Sequence, residues 1–292
     1  MNHKLSSVDI PAGSLDYVDE GSGPPVVLLH GLFMDHTLWD QVMPLLPSGF
    51  RYLRPVLPLG AHRRAMNSDA DLRMPGMVNL VADFLDALDL DDVTLVHSDW
   101  GGGLFLTAAK RDQRVGRLVI LPCEAFENFP PGLPGKMATV SAHLPGGLTL
   151  AARLLRIRWL RNTPLLFGWM TARPIPDAVV EGWTKSVLSD RNVARDLDSY
   201  ASTRFDASSL IRDTEALREF TGDVLILWPV RNHVMPPEHG RRLADLIPSA
   251  RLRTIDGSVL LSLDNPATVA REIGAFLTRQ PDVDERTRVA GS

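Results

Sequence analysis

The spacing of apolar residues divides the chain into three stretches. In the first, Leu15 to Asp19, Pro25 to Leu29 and Phe50 to Leu57 are apolar-rich runs bounded by turn-forming residues. Pro25 to Leu29 is a continuous apolar run, the mark of a strand buried on both faces, and predicts a mostly parallel sheet. The period then changes. Met77, Leu80, Val81, Phe84, Leu85 and Leu88 fall three and four apart, which predicts an amphipathic helix. Val93 to His97 reads as the next buried strand, Gly101 to Lys110 as a glycine-rich turn and helix, and Val115 to Leu121 as another strand. This alternation belongs to an open, doubly wound sheet.

The pattern breaks at Cys123. Up to about Leu217 there is no strand signal, only proline-punctuated helical segments carrying Trp159, Phe167, Trp169, Met170 and Trp183. A helical cap over residues 123–217 is expected, with Arg153, Arg156, Arg158 and Arg161 on a solvated helix face. Alternation resumes with strand Val224 to Trp228, helix Glu238 to Leu246, strand Arg251 to Ile255 and helix Ala267 to Leu277. The expected organisation is one α/β core, residues 1–122 and 218–280, interrupted once by the cap. The polar stretch 281–292 has too little to bury and is expected to be disordered. A length of 292 residues suits one large core with an insertion.

Composition narrows the function classes. A formal charge of -4 gives no electrostatic footprint for nucleic acid or an anionic membrane. No apolar run approaches the roughly 18 residues of a membrane span, and Met1 to Ile10 lacks a signal-peptide core. Cys123 is the only cysteine, which excludes an internal disulfide and a CxxC-type metal site and fits a cytoplasmic location. A small-molecule substrate, with no cofactor and no metal, is the expected partner, and monomer and homodimer both stay open. Of the 31 basic residues only Lys4, Lys110, Lys136 and Lys185 are lysine, a bias of GC-rich bacterial genomes.

The chemistry concentrates in Leu95-Val96-His97-Ser98-Asp99-Trp100-Gly101-Gly102. An apolar strand, a sharp polar turn and glycines follow in immediate succession, which is the context of a nucleophile elbow. Glycine is needed two residues after the nucleophile, so Gly101 selects Asp99 rather than Ser98. Upstream stands Val27-Leu28-Leu29-His30-Gly31. On these two motifs the chain resembles the α/β-hydrolase superfamily over residues 15–280, and Asp-Trp-Gly-Gly is most similar to its haloalkane dehalogenase and epoxide hydrolase branch. The resemblance implies an α/β-hydrolase fold with helices on both faces of the sheet. It also implies a carboxylate nucleophile at Asp99 and an oxyanion hole from the backbone N–H groups of Trp100 and Leu32.

The same resemblance makes Glu124, just after the strand ending at Leu121, the acid that would orient a catalytic histidine. The alternative acid position, in Trp228-Pro229-Val230-Arg231-Asn232-His233, holds Asn232. The decisive departure comes before the last helix, where Ser258-Val259-Leu260-Leu261-Ser262-Leu263-Asp264-Asn265-Pro266 puts Val259 in the histidine's place. Valine cannot activate water. The halide-donor position after His-Gly holds Leu32, and of the three tyrosines only Tyr200 lies in the expected cap.

The candidate catalytic residues are therefore Asp99, Glu124 and His233, the last as a replacement base, with His36 and His62 in similar loops. The candidate substrate-binding residues are His30, Leu32, Phe33, Trp100 and Val259, although His30 reads better as scaffold than as a proton-transfer group and His97 reads as a satisfied core histidine. Asp99 is expected at a helix N-terminus that favours its anion. Three functions stay open: an atypical enzyme acting through Asp99 and the backbone oxyanion hole on a small, largely apolar molecule, polycyclic compounds and secondary metabolites included; a covalent hydrolase with a displaced base; and a non-catalytic binding protein.

Overall fold

The computed structural model describes residues 3–279 apart from 205 and 231, so the 281–292 expectation lies outside the described residues. Eight strands form one sheet: β1 (Leu5–Ile10), β2 (Gly13–Gly21), β3 (Pro25–Leu28), β4 (Arg51–Pro55), β5 (Val93–Asp99), β6 (Val115–Cys123), β7 (Asp223–Pro229) and β8 (Ala250–Ile255), in the order β1-β2-β4-β3-β5-β6-β7-β8. β2 pairs antiparallel with β1 and β4, and every other pairing is parallel. Val26, Val27 and Leu28 of β3, like Leu95 and Val96 of β5, have no exposed surface, as a central strand covered on both faces requires. β1 has no counterpart among the sequence-predicted elements. It is an edge strand whose side chains are mostly half-exposed, so it lacks the apolar run that betrays a buried strand.

Helix α1 (Met74–Ala87) follows β4. Between β6 and β7 come α2 (Gly132–Ala142), α3 (Gly147–Leu155), α4 (Arg158–Arg161), α5 (Asp177–Ser189), α6 (Arg191–Ala201) and α7 (Ala207–Glu215), with no strand among the described residues. α8 (Pro237–Leu246), α9 (Leu261–Asp264) and α10 (Pro266–Thr278) complete the order. None of the described helices is long and apolar enough to cross a membrane.

Two local expectations fail. Gly101 to Lys110 is not an α-helix: Gly101 and Gly102 take φ of 156° and 78°, outside helical space, and only a short 3-10 turn, Gly103–Phe105, forms before irregular turns. Arg161 is not on a solvated face. It is buried, donating to the carbonyls of Leu155 at 3.0 Å and Ile175 at 3.1 Å and pairing with Asp177. It ties the α4 turn to the segment entering α5, an internal bracket that helical periodicity cannot reveal.

The helical insertion is anchored to the sheet by directional bonds. Asp264 accepts from Ala172 N–H at 2.8 Å and Arg173 N–H at 3.2 Å on the insertion side, and from Ser258 N–H at 2.8 Å on its own loop. Leu260 N–H donates to Met170 O at 2.9 Å. At another point Trp183 Nε1 of α5 donates to Thr37 Oγ1 at 2.8 Å.

Candidate active site

Asp99 ends β5 with φ of 59°, a left-handed conformation that costs a side-chain-bearing residue energy and that clusters at functional sites. The glycines make this turn possible. Gly31, on the loop after β3, lies so close that a Cβ there would overlap Asp99 Oδ2. That closeness brings Leu32 N–H to Asp99 Oδ2 at 3.2 Å, and Trp100 N–H also donates to the carboxylate. The two N–H groups expected to form an oxyanion hole thus hold the Asp99 side chain itself.

The carboxyl is nonetheless not favoured as an anion. Burial, and next the like charge of Glu124, push the pKa of Asp99 up to about 7 against the lowering effect of the two N–H bonds. The expected helix N-terminus is absent, because the 3-10 turn after the elbow is too short to supply a comparable dipole.

Above Asp99 opens a cavity of about 280 Å³. Leu32, Phe33, Asp99 and Trp100 line its core side, and Met137, Ala151, Leu155, Phe167 and Met170 are among the residues on the insertion side. Of the sequence-selected substrate-binding residues, Leu32, Phe33 and Trp100 are in the wall. Trp100 stacks beside Phe129 at 4.9 Å and Tyr200 at 6.0 Å between ring centroids.

The other selected residues stand elsewhere. His30 is completely buried and is scaffold: its Nε2 accepts from Leu57 N–H at 2.8 Å, Nδ1 lies 3.0 Å from Gly31 O, and burial lowers its pKa to about 4. Neutral imidazole splints the loop that carries Leu32. Val259 has no exposed surface and is not in the cavity wall. Its loop is clamped between Asp264 and the Trp169–Met170 carbonyls.

His233 packs its ring against Trp169, 5.2 Å between centroids, and is outside the cavity wall. Asn232 accepts from Val234 and Met235 N–H groups, capping its own loop. His36 is buried beside His3, and His62 Nε2 pairs with Asp196 Oδ2 at 3.2 Å. Among the described residues, no histidine lines the cavity.

Glu124 lies behind the elbow rather than in the wall. It is completely buried, and its Oε1 accepts from Gly102 N–H at 3.3 Å. His97, expected to be satisfied in the core, is not: neither ring nitrogen has a hydrogen bond, and Nε2 lies 3.5 Å from Glu124 Oε2. Period-two alternation assigns His97 to a sheet face but cannot show that an acid just past the end of the neighbouring strand stands against it.

A family model for the alpha/beta hydrolase fold matches residues 24–266. The chain belongs to the α/β-hydrolase fold family. A haloalkane dehalogenase of Mesorhizobium japonicum is 36% identical over 132 residues, 43% of this chain and 42% of that enzyme, so the likeness spans less than half of either. An uncharacterized protein of Mycobacterium tuberculosis H37Rv is 26% identical over 279 residues, 89% of this chain and 77% of that one. Among solved structures, the haloalkane dehalogenase DatA of Agrobacterium tumefaciens C58 has a TM-score of 0.75 at 20% identity, covering 94% of this chain and 96% of that one. A thermophilic esterase of Thermogutta terrifontis has a TM-score of 0.68 at 22% identity, covering 94% and 98%. At these identities the structural likeness is one of fold, shared by an α/β hydrolase with relatives of differing chemistry.

Proposed function

We propose that this α/β-hydrolase-fold protein is an enzyme of atypical chemistry, in which Asp99 exchanges a proton with a small, largely apolar molecule and no covalent ester is hydrolysed. The observation that carries this is the Asp99 carboxyl, buried at the floor of an apolar cavity with its pKa pushed up to about 7. A general acid–base group works best when its pKa is near ambient pH. Asp99 meets that condition, whereas ester hydrolysis needs a second group to activate water, and among the described residues no histidine lines the wall.

The wall sets the substrate class. Apolar side chains dominate it, and at about 280 Å³ it is at the small end of ligand pockets, which run roughly 300–1,000 Å³. A compact apolar ligand fits better than a large polycyclic one. Access is apolar too: of the ten exposed large hydrophobic residues described, eight lie in segment 133–165, with Met137, Leu150 and Leu165 also lining the cavity.

Isomerisation, elimination and ring opening are the reactions such a group would serve. The test is hydrogen–deuterium exchange at carbon. Compact apolar ketones and enones are incubated with the protein in D₂O, and mass spectrometry follows deuterium at the carbon next to the carbonyl. Catalysed exchange that disappears in Asp99→Asn is the expected result. Exchange that persists in the variant would remove Asp99 from the proposal.

A second reading is covalent capture by Asp99, favoured by the elbow conformation of its backbone and by the 36% identity to a haloalkane dehalogenase. Without a base it would stop at the ester.

A further inference from the structure

The net charge of -4, which gives no footprint for an anionic membrane, belongs to the chain as a whole and not to each of its faces. From residue 128 to residue 176 there is no aspartate or glutamate, while Lys136, Arg153, Arg156, Arg158, Arg161 and Arg173 all fall there. Arg161 is buried and held by Asp177. The other five are exposed, and among the described residues none of them forms an ion pair with a carboxylate. Arginines on the core differ: Arg51, Arg111 and Arg114 are each paired with an aspartate.

The same stretch carries the apolar exposure. Eight of the ten exposed large hydrophobic residues described lie in segment 133–165. In α2 only Gly135 is buried. Leu133, Met137 and Val140 are exposed and stand four and three apart, so they form one stripe along the helix. A surface helix of a globular protein normally turns such a stripe to the core. Trp159, next to Arg158 in α4, is 72% exposed, the most of the ten. The cavity opens onto this face, since Met137, Leu150 and Leu165 are both exposed and in its wall.

Exposed apolar side chains mixed with unpaired cations, and no acid among them, are complementary to the headgroup region of an anionic phospholipid leaflet. Apolar side chains enter the acyl boundary there, tryptophan settles at headgroup level, and each lysine or arginine is drawn by the negative surface potential. Such docking needs no helix that crosses the bilayer. A second copy of this chain on the same face would instead set two groups of cations against each other.

We propose that the insertion docks on an anionic phospholipid surface through α2, α3 and α4, with the cavity mouth turned towards the lipid. A compact apolar molecule dissolved in the bilayer then meets the cavity directly. That last step rests on the substrate class given above; the docking itself does not involve Asp99.

The test is co-sedimentation of the full-length chain with vesicles, one set of phosphatidylcholine alone and one of phosphatidylcholine mixed with phosphatidylglycerol. Binding to the mixed vesicles should be at least about tenfold tighter than to phosphatidylcholine alone and should weaken as salt is raised. Arg153→Glu combined with Arg158→Glu should weaken it by at least about tenfold, since a basic residue at an anionic leaflet is worth roughly fivefold. Trp159→Ser should weaken it as well. All three residues are exposed and outside the cavity wall.

No binding to the mixed vesicles, or equal binding to both kinds, overturns the proposal, a comparison that does not depend on any variant folding. Binding left unchanged in both the arginine and the tryptophan variants overturns it too, because the lipid then meets another surface. So does a wild-type dimer that Trp159→Ser converts to monomer, since a second copy then covers the face. A chain that binds the mixed vesicles yet catalyses no deuterium exchange instead rejects the acid–base role of Asp99 and leaves the docking in place.

Discussion

A carboxyl group shut away from water beside a second carboxyl is held by folding in its protonated form. Asp99 has an ordinary pKa of 3.8 and is pushed up to about 7 in the fold. The native state therefore binds the proton more tightly, and the contribution of Asp99 to stability is best below about pH 4 and worsens as pH rises to about 7. At about 1.4 kcal/mol per unit, the whole window is worth roughly 4 kcal/mol. Asp99→Asn should consequently be more stable than wild type at pH 8 by up to that amount, with the advantage shrinking towards zero near pH 4; denaturant unfolding at several pH values measures it. A second residue-scale expectation concerns Gly31, where a Cβ would overlap Asp99 Oδ2. Gly31→Ala should displace the carboxyl from Leu32 N–H and abolish Asp99-dependent deuterium exchange while the fold survives. Exchange at wild-type rate in Gly31→Ala would show that the close approach is unnecessary. Asp99 was legible in the sequence because glycine spacing is a steric requirement of the turn itself, and Gly31 and Leu32 were legible through the resemblance that the His-Gly motif carries. The His97–Glu124 pair was not, because it depends on the register between β5 and β6, where a shift occurs between His97 and Asp99.

Elements explain why the site has its shape. The absence of an α-helix directly after the elbow follows from three consecutive glycines, two with positive φ, and it deprives Asp99 of the dipole a longer helix would bring. The loop that could have offered a base is instead structural. Asp264 gathers N–H groups from residues 172, 173 and 258 and so holds the insertion against the end of the sheet. Asp264→Ala leaves these donors without their acceptor and should cost roughly 2–3 kcal/mol; an unfolding midpoint unchanged from wild type would deny the clamp its role. The central strands and the long helices were legible because their periodicity is imposed by burial on fixed faces. β1 and the burial of Arg161 were not, since an edge strand carries little apolar signal and an internal arginine is identified only by the carbonyls that surround it.

For the whole molecule, the cavity is where the sheet and the insertion meet, and both contribute wall. Ala151 of α3 is on that wall, so Ala151→Trp should fill the space and weaken binding of a compact apolar fluorescent probe at least about tenfold, or 1.4 kcal/mol, without lowering the melting temperature. Equal affinity in the variant would place the ligand elsewhere. The order of strand, helix and insertion was legible, because burial imposes it whichever residues line the cavity, while β1 and the turn after the elbow were not. The central proposal is that this α/β-hydrolase-fold protein keeps the elbow carboxyl yet, among the described residues, sets no histidine in the cavity wall to hydrolyse an ester formed on it. Counting bromide released per chain from a panel of compact bromoalkanes at pH 8, where Asp99 is mostly ionised, tests this most directly. The account predicts release that never exceeds one equivalent, with any adduct located on Asp99 by peptide mass analysis; steady release of many equivalents, lost in Asp99→Asn, would contradict it.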